Sequence, residues 1–409
     1  MIDWNSDKTR VELREIKTTL EMYGHDCRVV RWALAYRFLR NKLWWEYRRR
    51  FLSYLHKAPP KDNRLHVYFH LRGGIGDCAA NRIAIMCLRE QLPDAVFYFF
   101  TDTPRAAEVL FVPDDKHIFL TGKTPLWYRY DLAFEICLSF KTVHVNRERV
   151  NKLAPQIIPV LEKGLARQKQ LDFLVGDNYL MDEVLGRFMA AHKESQLAAQ
   201  SYLSGFDFDV DTTGLLPAPL LDTGVLEKYG LAGKKYITVH SGVNSLVTLN
   251  GRLPLKCWST QNWRAFVALF KKEFPDITVV QLGGNNSPVF DFADISLAGK
   301  TTLSEMPAIL NGALLHVDGE SGLVQLTRWL KTKAVVFFAH TSVDCFGLKK
   351  NRNLTAGVCR PCMWLIGPNW YFDCALGYPS CRNLAATSPE QVMRAVREEL
   401  THEVLFPTV

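Results

Sequence analysis

The stretch HVYFHLRGGIGDCAANRIAIMCLREQLP (66–93) decides how the chain is read. Its first six residues, His66 to Leu71, are rich in branched and aromatic side chains, which suits a strand. A glycine loop follows, Arg72-Gly73-Gly74-Ile75-Gly76-Asp77, and then apolar residues recur at helical intervals as far as Pro93. Strand, glycine loop and helix in that order make the opening step of a parallel α/β sheet. The segments AVFYFF (95–100), HIFL (117–120) and DLAFEICL (131–138) read as its further strands.

Residues 145–205 read as largely helical, and GFDFDVDTTGLLPAPLLD (205–222) reads as an irregular linker punctuated by glycine and proline. A second alternation then begins with YITVHSG (236–242). The helix WSTQNWRAFVALFKKEFP (258–275), capped by Ser259 or Thr260, leads to the strand ITVVQLGG (277–284). Helical LSEMPAILNGA (303–313), strand LLHVDGE (314–320), helix SGLVQLTRWLKT (321–332) and strand AVVFFAH (334–340) complete the repeat. The expected fold class is α/β, with two Rossmann-like doubly wound domains facing a cleft, since ligands in open α/β sheets sit beyond the carboxyl ends of the strands. The expected boundaries are 61–225 and 226–385, flanked by a helical extension over 1–60 and a C-terminal helix within 386–409 that crosses between the domains.

The chain of 409 residues is 48% hydrophobic and 22% charged, enough to bury a sizeable core. No apolar run reaches the ~20 residues of a membrane-spanning helix, and the N-terminus lacks a signal-peptide pattern, so a cytoplasmic protein is expected. The charge is local. Between Arg28 and Lys57 nine Lys/Arg stand against one acid, Glu46, an excess equal to the whole chain's net charge of +8. That excludes a protein-wide nucleic-acid surface and points to one basic element. With Trp32, Tyr36, Leu39 and Leu43 at helical spacing, it reads either as a helix docked on the first domain or as one lying on an anionic membrane.

The first glycine loop offers backbone amides at a helix start, suited to an anion or to an acidic side chain held in the cleft. Gly74-Ile75-Gly76-Asp77-Cys78-Ala79 also fits the dinucleotide pattern G-x-G-x-x-G/A, with Asp102 downstream as the ribose acid. Against that stands Asp77, which would oppose a pyrophosphate and suits a base better. In the second half, His240-Ser241-Gly242 and Gly283 end strands, Lys256 precedes Trp258, and Glu320-Ser321-Gly322 opens a helix. A lysine with the amides and hydroxyl of a helix start can meet the charge on a departing diphosphate.

Taken in order, GGIGD after the first strand, the lysine before tryptophan, LSEMPAIL (303–310) and the acid-Ser-Gly-Leu turn resemble glycosyltransferase family 9, over roughly residues 66–400. That family holds the ADP-heptose:lipopolysaccharide heptosyltransferases, GT-B enzymes that invert the anomeric centre. The resemblance implies that Asp77 is the general base, that Lys256 contacts phosphate and that Glu320-Ser321-Gly322 is the donor turn. Two positions depart from the family pattern: Gln325 stands where a histidine is usual, and Glu320 replaces the commoner aspartate. The donor-binding set expected on these grounds is Gly74, Gly76, His240, Ser241, Gly242, Lys256, Gly283, Glu320, Ser321, Gly322 and Gln325.

Cys359, Cys362, Cys374 and Cys381 form the pattern C-x2-C-x11-C-x6-C, a donor set suited to structural zinc or iron. The other six cysteines are scattered, as reduced packed thiols are. The function expected is inverting transfer of a heptose-like sugar from an ADP-sugar or other nucleotide-sugar to a saccharide, glycolipid or protein, with no cofactor needed for transfer itself. A nucleotide-sugar epimerase or a non-catalytic nucleotide-binding regulator are the alternatives. Oligomerisation is compatible with all of these, and no nucleic-acid partner is expected.

Overall fold

The computed structural model describes residues 59–60, 62–121, 127–137, 139–171, 186–209, 211–242, 254–285, 287–363 and 371–405. The basic extension, apart from Pro59 and Pro60, lies outside the described residues. Two sheets form the frame.

The first has the order β3-β2-β1-β4-β5, with β1 His66–Leu71, β2 Val96–Thr101, β3 His117–Phe119, β4 Leu132–Ile136 and β5 Phe140–Val145. All pairings are parallel except β4 with β5. Alternation in β1 sends Val67, Phe69 and Leu71 to the face covered by α1 (Ile75–Gln91), where Phe69 stacks on Phe99 and Phe134 at 5.5 Å each. Helices α2 (Ile158–Gln170) and α3 (Gln196–Ser204) extend the same core. The antiparallel β5 was not legible as a strand. Only Phe140 of it is buried, and Lys141, Thr142 and His144 give it no apolar alternation.

The second sheet has the order β11-β10-β9-β6-β7-β8 and is wholly parallel, with β6 Tyr236–His240, β7 Thr278–Leu282, β8 Ile295–Ser296, β9 Leu315–Gly319, β10 Ala334–Phe337 and β11 Arg352–Leu354. Every residue of β6, β9 and β10 is buried, which explains why these strands read so clearly. The edge strands β8 and β11 are two and three residues long and passed unread. Helix α4 (Thr260–Glu273) covers one face with Trp263, Phe266 and Phe270 and is capped as expected, Ser259 Oγ accepting from the Asn262 amide at 3.1 Å. The helix expected over 303–313 is a 3-10 turn followed by α5 (Met306–Asn311). The one expected over 321–332 is α6 (Gly322–Leu326), then a 3-10 turn at Thr327–Trp329.

Among the described residues, helix α7 (Pro389–Leu405) sends Val392, Met393, Val396 and Leu400 into the core of the second sheet beside α4. The halves are joined directly, because Leu323, Leu326 and Trp329 belong to the same buried cluster as Cys78, Ala79 and Ile83 of α1. Trp329 Nε1 donates to the Ala79 carbonyl at 2.7 Å, and the Arg82 guanidinium lies 4.3 Å from the Trp329 ring centroid.

Candidate active site between the two sheets

In each sheet the strand order reverses beside the first strand, between β1 and β4 and between β6 and β9. The crevices at these points lie beyond the strand carboxyl ends, where doubly wound sheets hold ligands. The loops of both crevices meet. A Cβ on Gly76 would lie 2.7 Å from the Gly322 Cα, and a Cβ on Gly322 would lie 2.8 Å from Ile75 Cγ2 and 3.0 Å from the Gly76 amide nitrogen. Gly76 and Gly322 are therefore needed for the close approach of α1 and α6. This is a packing role.

The first loop turns through Gly73 at φ +92°, a left-handed conformation that favours glycine. The Asp77 carboxylate folds back over it, and Oδ2 accepts the Gly74 N–H at 2.8 Å. The Gly73 N–H goes to Asp102 Oδ2 at 3.3 Å, while Asp102 Oδ1 meets His70 Nε2 at 2.8 Å. The Gly73 and Gly74 amides are thus taken by side-chain carboxylates, and the Asp77 carboxylate over the loop opposes a pyrophosphate there. Asp102 braces the loop.

Asp77 is half-buried, and burial pushes its carboxyl above the ordinary value. The Gly74 amide and Lys256 oppose that rise, and Glu320 adds to it. Burial outweighs the amide that favours the charged form. The same balance shows that Asp77 of the first half stands within electrostatic reach of Glu320 and Lys256 of the second.

Lys256 Nζ lies 3.6 Å from Glu320 Oε2 and 5.4 Å from the Tyr371 ring centroid. Burial alone would lower the lysine, but Glu320 and a hydrogen bond with Tyr371 carry it above its usual range, so it stays charged. Tyr371, which the motifs did not indicate, is itself pushed up by burial.

Below these groups lies a buried network. Asp318 Oδ2 is approached by His240 Nδ1 at 2.8 Å and by His316 Nε2 at 3.3 Å, and it accepts the Ser321 hydroxyl. His316 Nδ1 in turn meets Thr238 Oγ1 at 2.9 Å. Burial would raise Asp318, but His240 and His316 hold it down to about 2. Asp318 and His316 were missed, although a signal was present: Thr238 and His240 on β6 alternate beside His316 and Asp318 on β9, with Thr238 opposite His316 in register. Polar residues at every second position of two buried parallel strands are costly unless they bond one another.

The remaining expected donor residues divide. Ser321 Oγ accepts from the Leu323 and Val324 amides at 3.2 and 3.5 Å while donating to Asp318, so its hydroxyl is committed to a helix cap. Gln325, at the usual histidine position, donates to the Phe346 carbonyl at 2.7 Å. Gly242, at φ +90°, would place a Cβ 3.2 Å from the Lys256 carbonyl, and the neighbouring Ser241 hydroxyl is buried with no hydrogen-bond partner among the described residues. Gly283 is enclosed one strand away, where a Cβ would lie 2.6 Å from Ser287 Oγ. The thiols of Cys359, Cys362, Cys374 and Cys381 are neighbours: burial raises Cys362 and Cys381, and the surrounding thiols add to it. Among the described residues, no three His, Cys, Asp or Glu side chains converge in metal-ligand geometry.

No protein-family model matches the sequence, and no curated protein does. Solved structures do match. The E. coli ADP-heptose lipopolysaccharide heptosyltransferase II superposes with a TM-score of 0.53 at 14% identity, covering 83% of this chain and 100% of that one. The iron-containing dodecameric glycosyltransferase TibC from enterotoxigenic E. coli gives 0.53 at 12% identity, covering 84% and 77%. TibC in complex with ADP-D-beta-D-heptose gives 0.52, also at 12% identity, covering 84% and 78%. Together with the two doubly wound sheets joined at their switch points, these superpositions show that the chain has the GT-B fold.

Proposed function

We propose that this protein is an inverting glycosyltransferase that moves a sugar from a nucleotide-sugar to a hydroxyl-bearing acceptor. The observation that carries the reading is the close contact of the two loops at Gly76 and Gly322, which sets Asp77 at one sheet's switch point within electrostatic reach of Lys256 at the other's. In this reading the acceptor oxygen attacks the anomeric carbon and its proton passes to Asp77. The bond from that carbon to the diphosphate breaks on the opposite face, and its electron pair leaves on phosphate oxygen. Lys256 meets the added charge, the more so because Ser321 already occupies the amides that open α6. The ADP-heptose held by TibC supports an ADP-sugar as donor. A heptose-like sugar and a glycan, glycolipid or protein acceptor are the substrates proposed.

A thermal-shift panel of nucleoside diphosphates and their sugars tests the reading, since a ligand that binds only the folded chain raises its melting temperature. An ADP-sugar is expected to give the largest shift and to be turned over when acceptor is added. Stabilisation by NAD in place of these would contradict the assignment.

Two accessory roles belong to the same proposal. The four neighbouring thiols would hold one structural zinc or iron, supported by their soft donor set and by the iron in TibC. The basic N-terminal segment would bring the enzyme to an anionic membrane surface bearing the acceptor. Among the described residues no helix is long and apolar enough to cross a membrane.

A further inference from the structure

The ammonium of Lys256 is the group assigned to the donor diphosphate, yet it already has a carboxylate beside it. Lys256 and Glu320 expose only 14% and 11% of their side chains, so water screens the pair poorly. Their separation of 3.6 Å exceeds a good charge-assisted hydrogen bond, which runs to roughly 2.9 Å. The lysine is held by charge and by Tyr371 without its donors being filled by Glu320.

The other charged groups around it make the balance sharper. Asp318 on β9 and Asp77 on α1 lie within electrostatic reach of the ammonium. His340, after β10, is kept neutral by burial and by Lys256 itself, its value lowered to about 3. One lysine therefore balances Glu320 beside it and two further carboxylates within electrostatic reach, and a diphosphate entering this space brings further negative charge. Asp318 is bound to two histidines and a serine, and Asp77 to the Gly74 amide. Glu320 has the loosest hold of the three.

Resting on the donor-site reading above, we propose that Glu320 is an internal competitor for the phosphate position at Lys256, a carboxylate that the nucleoside diphosphate must displace and that returns to the lysine when the product leaves. It acts as a positioning residue that sets donor affinity and product release. A site of this kind gives up binding strength in the ground state and gains a route for expelling a product that carries more charge than the donor.

The test uses the full-length protein with ADP and with inorganic pyrophosphate as probes, measured by calorimetry and by melting temperature. Without ligand, Glu320→Gln is expected to melt below the wild type, because it removes the carboxylate nearest the buried ammonium. The same variant is expected to bind ADP at least about tenfold more tightly, as removal of a buried competing charge implies, and either probe should restore its melting temperature. Glu320→Asp keeps the charge but withdraws it by one methylene, so a smaller gain in the same direction is expected. Adding Lys256→Ala to Glu320→Gln should abolish the gain. Equal or weaker ADP binding by both Glu320 variants, with the wild type binding normally, overturns the proposal and leaves the donor site standing. Absence of ADP and pyrophosphate binding in wild type and variants alike overturns both.

Discussion

The two helix starts that meet at Gly76 and Gly322 have the same local plan and opposite content. At the first, side-chain carboxylates from Asp77 and Asp102 take the loop amides, so the crevice presents an acceptor of protons. At the second, the Ser321 hydroxyl takes the amides, and the crevice presents the cation Lys256. A glycine loop before a helix thus does not specify an anion site by itself. What occupies its amides decides which charge the loop can offer.

The largest effect should come from the network beneath the second start. Asp318→Asn leaves the Ser321 hydroxyl and two histidines without a carboxylate, and loss of one partner of a buried charged group costs about 3–5 kcal/mol. Urea unfolding at neutral pH measures it. The sign with pH follows from the depressed value: Asp318 contributes stability that is fully present above its ordinary 3.8 and is lost as pH falls toward about 2. The wild type should lose that contribution across this window, and the variant should have none to lose. An Asp318→Asn protein as stable as wild type would show the network to be incidental.

Gly76→Ala comes next, since its new methyl would press on backbone at 2.7 Å where no flexible side chain can move aside. Overpacking of this kind is expected to cost about 3 kcal/mol in the same assay. A change below about 1 kcal/mol, the lower end for overpacking, would mean that the helix starts can separate freely. Lys256→Ala should weaken ADP binding by about 2 kcal/mol, the scale of a charge-assisted hydrogen bond, read by calorimetry. Ser321→Ala should cost about 1 kcal/mol of stability through the lost cap, with less effect on ADP affinity than Lys256→Ala.

Much of the frame was legible because its central strands are buried on both faces and its long helices carry apolar stripes, as in β1, β6, β9, β10 and α4. The short edge strands β8 and β11 and the half-exposed β5 carry too little apolar pattern to be read. Of the candidate site, Asp77, Lys256 and Glu320 were named from motifs, and the structure brings them together. The roles of Gly76, Ser321 and Gln325 as packing, cap and brace depend on partners distant in sequence or on which hydrogen bond wins locally, and neither leaves a spacing signal. The four cysteines remain a metal proposal that elemental analysis decides. About one zinc or iron per chain is expected in protein purified without metal-affinity resin, and none in a folded, active sample would end it.

One substitution separates a role for Asp77 as base from a role as helix cap. Asparagine keeps the shape of Asp77 and can still accept the Gly74 N–H, but it cannot take a proton. Because burial raises the Asp77 carboxyl, its ionised form opposes folding above its titration, so removing the charge should not lower the melting temperature at neutral pH. The decisive measurement is kcat for Asp77→Asn with the donor identified by the thermal-shift panel, alongside donor affinity and melting temperature. The expected result is a fall of roughly 10²–10⁴-fold in kcat, with donor binding and stability nearly unchanged. Turnover within about threefold of wild type, far short of the general-base scale, would contradict the mechanism and leave Asp77 as a helix cap alone.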